Sequence, residues 1–190
     1  RPKPFGNMNM RAIRPMGNES VLADAATGAR LWSLRGKDSA ASTYAGHPGF
    51  VALSRDAALT ALTDWNGVAY LVAKSGKIVA QSDSLPPADS RGRNGPTAGV
   101  GTWISDDGSL AAFGFSSVLL LASEPRASAS GAAKFVRVPV ATMVSGCVSG
   151  DGTLAVAALE SGDVTAFAPD GKAKWTFATK SVGPFVAAVG

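Results

Sequence analysis

The chain has 190 residues, 46% of them hydrophobic, enough for one domain with a substantial core. It carries 18 Lys and Arg against 14 Asp and Glu; basic residues such as Arg11, Arg30, Lys74, Lys134 and Lys172 are scattered, with no aromatic-laced stripe, which argues against nucleic-acid binding. The single cysteine, Cys147, excludes an internal disulfide, thiolate-rich zinc sites and haem attachment through paired thiols. It lies in an apolar strand pattern and reads as a buried, inert thiol.

The longest apolar run, 113–122, is too short and interrupted to span a bilayer, so no transmembrane segment is expected. No signal peptide is visible, and Arg1 stands where an initiator Met would be, as in a processed or excised piece.

The stretch 1–8 opens with RPKPFG and reads as an extended tail. A short strand is expected over 9–13, followed by the punctuated loop RPMGNES. VLADAATGARLWSL then predicts two strands joined by a tight turn at Thr27-Gly28, with Trp32 on the returning strand. Residues 35–49 form a polar connector. Strands are expected over 50–54, 58–63, 68–73 and 77–81, with the hairpin signal Asn66-Gly67 between the second and third. The stretch 82–99 is a long Pro/Gly/Ser-rich loop, where proteolysis is expected to cut first, near Arg91 or Arg93.

The pattern then restarts. Strands are expected over 100–104, 110–114, 118–122 and 135–138, the last after the low-complexity insertion 123–133. A third round runs over 143–148, 154–159, 164–168 and 174–177. The first turn of each round repeats as SRDAAL, SDDGSL and SGDGTL, closing on Leu59, Leu110 and Leu154. Four strands per round, at roughly one blade length per round, predict an all-β propeller of four-stranded blades.

One domain is expected over 9–190, with blades at about 50–81, 100–138 and 143–178. A further blade combines 9–34 with 185–189, because the opening round lacks a first strand and 185–189 has the register of one. Two architectures remain open: four blades closed through the termini, or an arc of a larger propeller.

VLADAATGARLW resembles the tryptophan-docking repeat of the pyrroloquinoline-quinone-type propellers, with Asp24, Thr27, Gly28 and Trp32 matching its Asp, Thr-Gly turn and Trp. APDGKAKWTF is similar to its Pro-Asp-Gly variant: Pro169, Asp170, Gly171 and Trp175 match, while Ala168 stands at the Asp position. In a third copy Ser75 and Gly76 survive and Ala80 replaces the Trp. The Ser-x-Asp-Gly turns are shared with WD-repeat-like propellers, the second choice.

The quinone-dependent dehydrogenases of that family need a calcium site, a catalytic Asp and usually a vicinal disulfide, which one cysteine excludes. The resemblance therefore implies the cofactor-free scaffold branch, with no cofactor and a protein partner, and it leans against an enzyme. Self-association is expected if the propeller is open. Together with the missing Met, the resemblance favours a periplasmic or extracellular location.

Asp24, Asp56, Asp107, Asp151 and Asp170 all fall in turns, where a carboxylate accepts from the N–H two residues on; they read as turn-formers rather than catalysts. Trp32 and Trp175 hold equivalent places and read as inter-blade packing. His47 lies in a connector with no carboxylate assigned near it. No nucleophile elbow, P-loop, dinucleotide fingerprint or metal spacing occurs, so no catalytic and no metal residue is assigned.

Trp65 differs, standing in the turn DWNG between Asp64 and Asn66, where it either faces out for recognition or folds down onto its blade. In a propeller that turn shares a face with the connectors between blades. The candidate binding face is Arg14, Tyr44, His47, Asp64, Trp65, Asn66, Arg91, Arg93 and Glu160, an aromatic with cationic neighbours. The leading expectation is a non-catalytic module for protein binding or assembly through this face. The alternative is a fragment or subunit of a quinoprotein-like enzyme or of a small-ligand-binding propeller.

Overall fold

The computed structural model describes residues 19–23, 27, 29–35, 48–64, 67–83, 85, 99–123 and 133–179. These residues form strands and turns without helix. A two-stranded sheet pairs β1 (Glu19–Ala23) with β2 (Arg30–Arg35). Three four-stranded sheets follow. Blade I is β3 (Pro48–Leu53), β4 (Leu59–Asp64), β5 (Ala69–Ala73) and β6 (Ile78–Gln81). Blade II is β7 (Gly99–Ile104), β8 (Leu110–Phe115), β9 (Val118–Ser123) and β10 (Phe135–Pro139). Blade III is β11 (Met143–Val148), β12 (Ala155–Leu159), β13 (Asp163–Phe167) and β14 (Ala173–Ala178).

Each blade is an antiparallel meander with its strands in sequence order. The first strands lie innermost: β7 packs against both β3 and β11. This is the architecture of a β-propeller. The tail 1–8 and the strands expected over 9–13 and 185–189 lie outside the described residues, so of the expected composite blade only the β1–β2 pair is described.

Two apolar seams hold the blades together. Between blades I and II, Leu59, Ala61, Ala69 and Leu71 meet Ala111, Phe113, Phe115 and Leu120. Between blades II and III, Leu110, Ala112, Leu119 and Leu121 meet Met143, Ala155, Ala157 and Phe167. Neighbouring residues of β8 thus serve opposite seams, as the period of two in a strand requires. Strands covered on both faces cannot alternate apolar and polar, so β8 and β9 read LAAFGF and VLLLAS, almost wholly apolar. Alanines at Ala61, Ala69, Ala111, Ala155 and Ala157 let the sheets approach closely. Phe113 and Phe135 add a tilted ring contact with centroids 5.9 Å apart.

Candidate functional site

The turn after the first strand of each blade is built the same way three times. The hydroxyls of Ser54, Ser105 and Ser149 donate to the carboxylates of Asp56, Asp107 and Asp151 at 2.8, 2.8 and 2.6 Å. The same serine oxygens accept the N–H groups of Leu59, Leu110 and Leu154 at 3.0–3.1 Å. Each carboxylate also accepts from two residues on: Ala58, Ser109 and Thr153. The serines are buried, so every bond replaces one to water that the fold has removed. The hydroxyl of Ser149 and the N–H of Thr153 hold the Asp151 carboxyl below the usual carboxylate range.

The expected turn-forming role of Asp56, Asp107 and Asp151 is what the structure shows. Asp170 behaves likewise, accepting from the N–H of Lys172 at 3.0 Å. Its ammonium lies 2.9 Å from the same carboxylate, and this contact holds Asp170 low and Lys172 high.

These serine turns also tie blade to blade. The Arg55 N–H donates to the Asp106 carbonyl at 3.0 Å, and the Asp106 N–H donates to the Gly150 carbonyl at 3.0 Å. Arg55, Asp106 and Gly150 hold the same place in successive turns, so the relay runs around the propeller axis. Above it lies an open, shallow pocket of about 380 Å³ lined by Arg55, Asp56, Asp106 and Asp107. The Arg55 guanidinium and the Asp106 carboxylate approach to 3.8 Å there, both well exposed. Such a pair contributes little in water. Among the described residues no group of three His, Cys, Asp or Glu side chains is placed to hold a metal ion.

At the opposite end of the blades lie Asp64 and Glu160, the two described members of the predicted face. Glu160 sits in the turn between β12 and β13 and is exposed; its N–H donates to the Thr142 carbonyl at 2.7 Å, tying turn to connector. Asp64 is placed differently. It is only 3% exposed. Its carboxylate accepts the Val68 N–H at 2.9 Å and the Tyr70 hydroxyl at 3.0 Å. Asp64 thus closes its own hairpin, and Glu160 is the described member of the face that meets solvent. Arg14, Tyr44, His47, Trp65, Asn66, Arg91 and Arg93 lie outside the described residues.

Sequence reading misses Tyr70, whose phenol is pushed well up by burial first, then by the Asp64 charge and hydrogen bond. Its signal is faint: an aromatic opposite the turn in a hairpin that begins with Asp. Cys147 is buried, and burial pushes its thiol up, as expected of an inert core thiol. Trp175, expected in inter-blade packing, is 46% exposed on β14. Asp24, Gly28 and the side chain of Trp32 lie outside the described residues.

The fold and these turns define a β-propeller protein. Neither a protein-family model nor a curated protein matches the chain. Among solved structures it is similar to the β-propeller domain of Cps50 (Swd1) from Myceliophteria thermophila, with a TM-score of 0.60 and 11% identity over 86% of this chain and 49% of that one. It is also similar to hydrazine synthase from Kuenenia stuttgartiensis, with a TM-score of 0.51 and 13% identity over 73% of this chain and 38% of that one. The chain therefore spans half or less of the length of these structures. At such identity the likeness speaks for the fold. Among the described residues no helix is long and apolar enough to cross a membrane.

Proposed function

We propose that this chain is a non-catalytic propeller module that binds or assembles proteins through its connector-loop face. The observation that carries the reading is the contrast between the two ends of the blades. At the serine-turn end, Asp56, Asp107 and Asp151 are engaged in holding their own turns. At the connector end, Glu160 stands exposed on a turn braced by backbone bonds. Rigid turns presenting free side chains suit recognition, because little ordering entropy is lost on binding. Trp65, Arg91 and Arg93 complete this face in the proposal, with Trp65 as the aromatic anchor.

A photo-crosslinking residue at position 65, compared with one at Lys74 on the opposite end, tests the proposal. The expected result is a protein adduct from position 65 alone, lost when Glu160→Arg and Arg93→Glu are added. Equal labelling from both ends would reject the face. Pyrroloquinoline quinone with calcium is expected to leave the melting temperature unchanged; a rise would favour the reading as part of a quinoprotein-like enzyme.

A further inference from the structure

We propose that the outer edge of blade III, strand β14, pairs with β14 of a second copy of this chain, joining the two blades edge to edge into one continuous sheet. The evidence is the state of that edge. All six residues of β14 are exposed, and among the described residues it pairs with β13 alone. The other two outer strands are guarded. β6 is only four residues long, and β10 carries Arg137 and ends at Pro139, which has no N–H to offer. β14 carries one charge, Lys174, set in a bulge: Ala166 pairs with Trp175 and Phe167 with Ala173, so Lys174 has no opposite residue on β13. Beyond it Trp175, Thr176 and Phe177 are strong strand formers with no charge or proline to blunt the edge.

The phase of the backbone decides what this edge offers. The Thr179 N–H donates to the Gly162 carbonyl at 3.2 Å. Hydrogen-bonded pairs alternate along an antiparallel ladder, so the N–H and C=O of Phe177 and Trp175 turn to β13 and those of Thr176 turn outward. A donor and an acceptor side by side on one residue match those of another antiparallel strand. Trp175 and Phe177 lie two residues apart on one face of the sheet, 46% and 63% exposed.

The occupant follows from the strand's self-complementarity. Trp175, Thr176 and Phe177 read as ring, hydroxyl, ring from either end. With a two-fold axis at Thr176, its N–H and C=O bond to those of Thr176 in the second copy. Trp175 then stands opposite Phe177 of the second copy, and Phe177 opposite its Trp175, which makes two aromatic cross-strand pairs. Lys174 falls opposite Ala178 of the second copy, so four residues of strand keep the two Lys174 cations about 13 Å apart. The contact is isologous, so it closes at two copies.

Sedimentation velocity and a cysteine pair test this. A contact of this size belongs with weak interfaces, so the mass is read at about 100 µM, where a species of twice the 19.2 kDa chain mass is expected. One chain mass at that concentration, or open-ended growth, overturns the proposal. Thr176→Cys places two thiols across the axis on residues about 5.5 Å apart, within disulfide reach, and should oxidise to a covalent dimer. Ala178→Cys, on the same exposed strand, places them about 13 Å apart and should not. Equal cross-linking of the two variants, or none, overturns the pairing. Thr176→Pro removes the outward N–H, which an edge strand tolerates, and should give a single chain with an unchanged β-sheet circular dichroism spectrum. If that variant fails to fold, Trp175→Lys with Phe177→Lys decides, since it sets like charges opposite one another; a dimer that survives it rules the edge out.

Discussion

The indole of Trp103 fills the space that a Cβ on Gly114 would need: its ring carbons stand 2.9 and 3.0 Å from that position. Gly146, on the first strand of the next blade, faces the same ring, with a ring carbon 3.1 Å and the Met143 methyl 2.7 Å from where its Cβ would be. Trp103 is thus a wedge between blades II and III, seated in a slot lined by glycines from separate strands. Gly114→Val should destabilise the fold by roughly 1–3 kcal/mol, because a stiff side chain there displaces the ring. Urea unfolding reads the change. A midpoint equal to that of the unaltered chain would show that the slot is not closely packed.

Ala57 has a φ of 53°, in the left-handed region. Its equivalents in the other serine turns are Gly108 and Gly152, at 70° and 69°. An alanine there carries strain of about 1–2 kcal/mol that glycine avoids, partly offset by glycine's greater freedom when unfolded. Ala57→Gly should therefore stabilise by up to about 1 kcal/mol, and Gly108→Ala should destabilise by a similar amount. Opposite signs in a paired thermal melt are the expected outcome; equal signs would contradict the turn geometry.

The serine turn also has a pH signature. Asp151 titrates below the ordinary aspartate range because Ser149 and Thr153 hydrogen-bond its charged form. A lowered carboxyl makes folding more favourable above its unfolded value, about 3.9, and that contribution disappears as pH falls through the lower folded value. Ser149→Ala should raise the Asp151 midpoint in a carboxyl-detected NMR titration and reduce the loss of stability on acidification. An unmoved midpoint would show that the hydroxyl does not govern it.

Tyr70 predicts the alkaline side. Its phenol is raised, so the folded state resists ionisation; the stabilisation is complete below the unfolded value near 10 and is lost as pH rises above it. Of the two tyrosines in the chain, Tyr70 should give its phenolate absorbance only when the protein unfolds. Tyr70→Phe should remove that late step and cost roughly 1–3 kcal/mol, since the buried Asp64 carboxylate loses a donor. An early titration of both tyrosines in the folded chain would contradict the Asp64 contact.

The sequence by itself determined the strand-turn repeat and the turn chemistry. Ser54-x-Asp56, Ser105-x-Asp107 and Ser149-x-Asp151 are legible because their bonds close within five residues, and such local chemistry survives in any tertiary context. The apolar runs of β8 and β9 are legible as strands for the same reason. The tertiary structure alone decided which residues those strands bring together. Trp103 looks like any core aromatic until Gly114 and Gly146 arrive from two other strands to complete, with Gly101 of its own strand, the slot that holds it. Asp64 belongs by sequence to a polar surface turn, and only the pairing of β4 with β5 sets Tyr70 above it and draws it inside. Trp175 has the place of an inter-blade residue, yet on β14 it is 46% exposed. Periodicity records which face of a strand is apolar; it carries no information about the neighbour that covers it, because that contact joins residues distant in sequence.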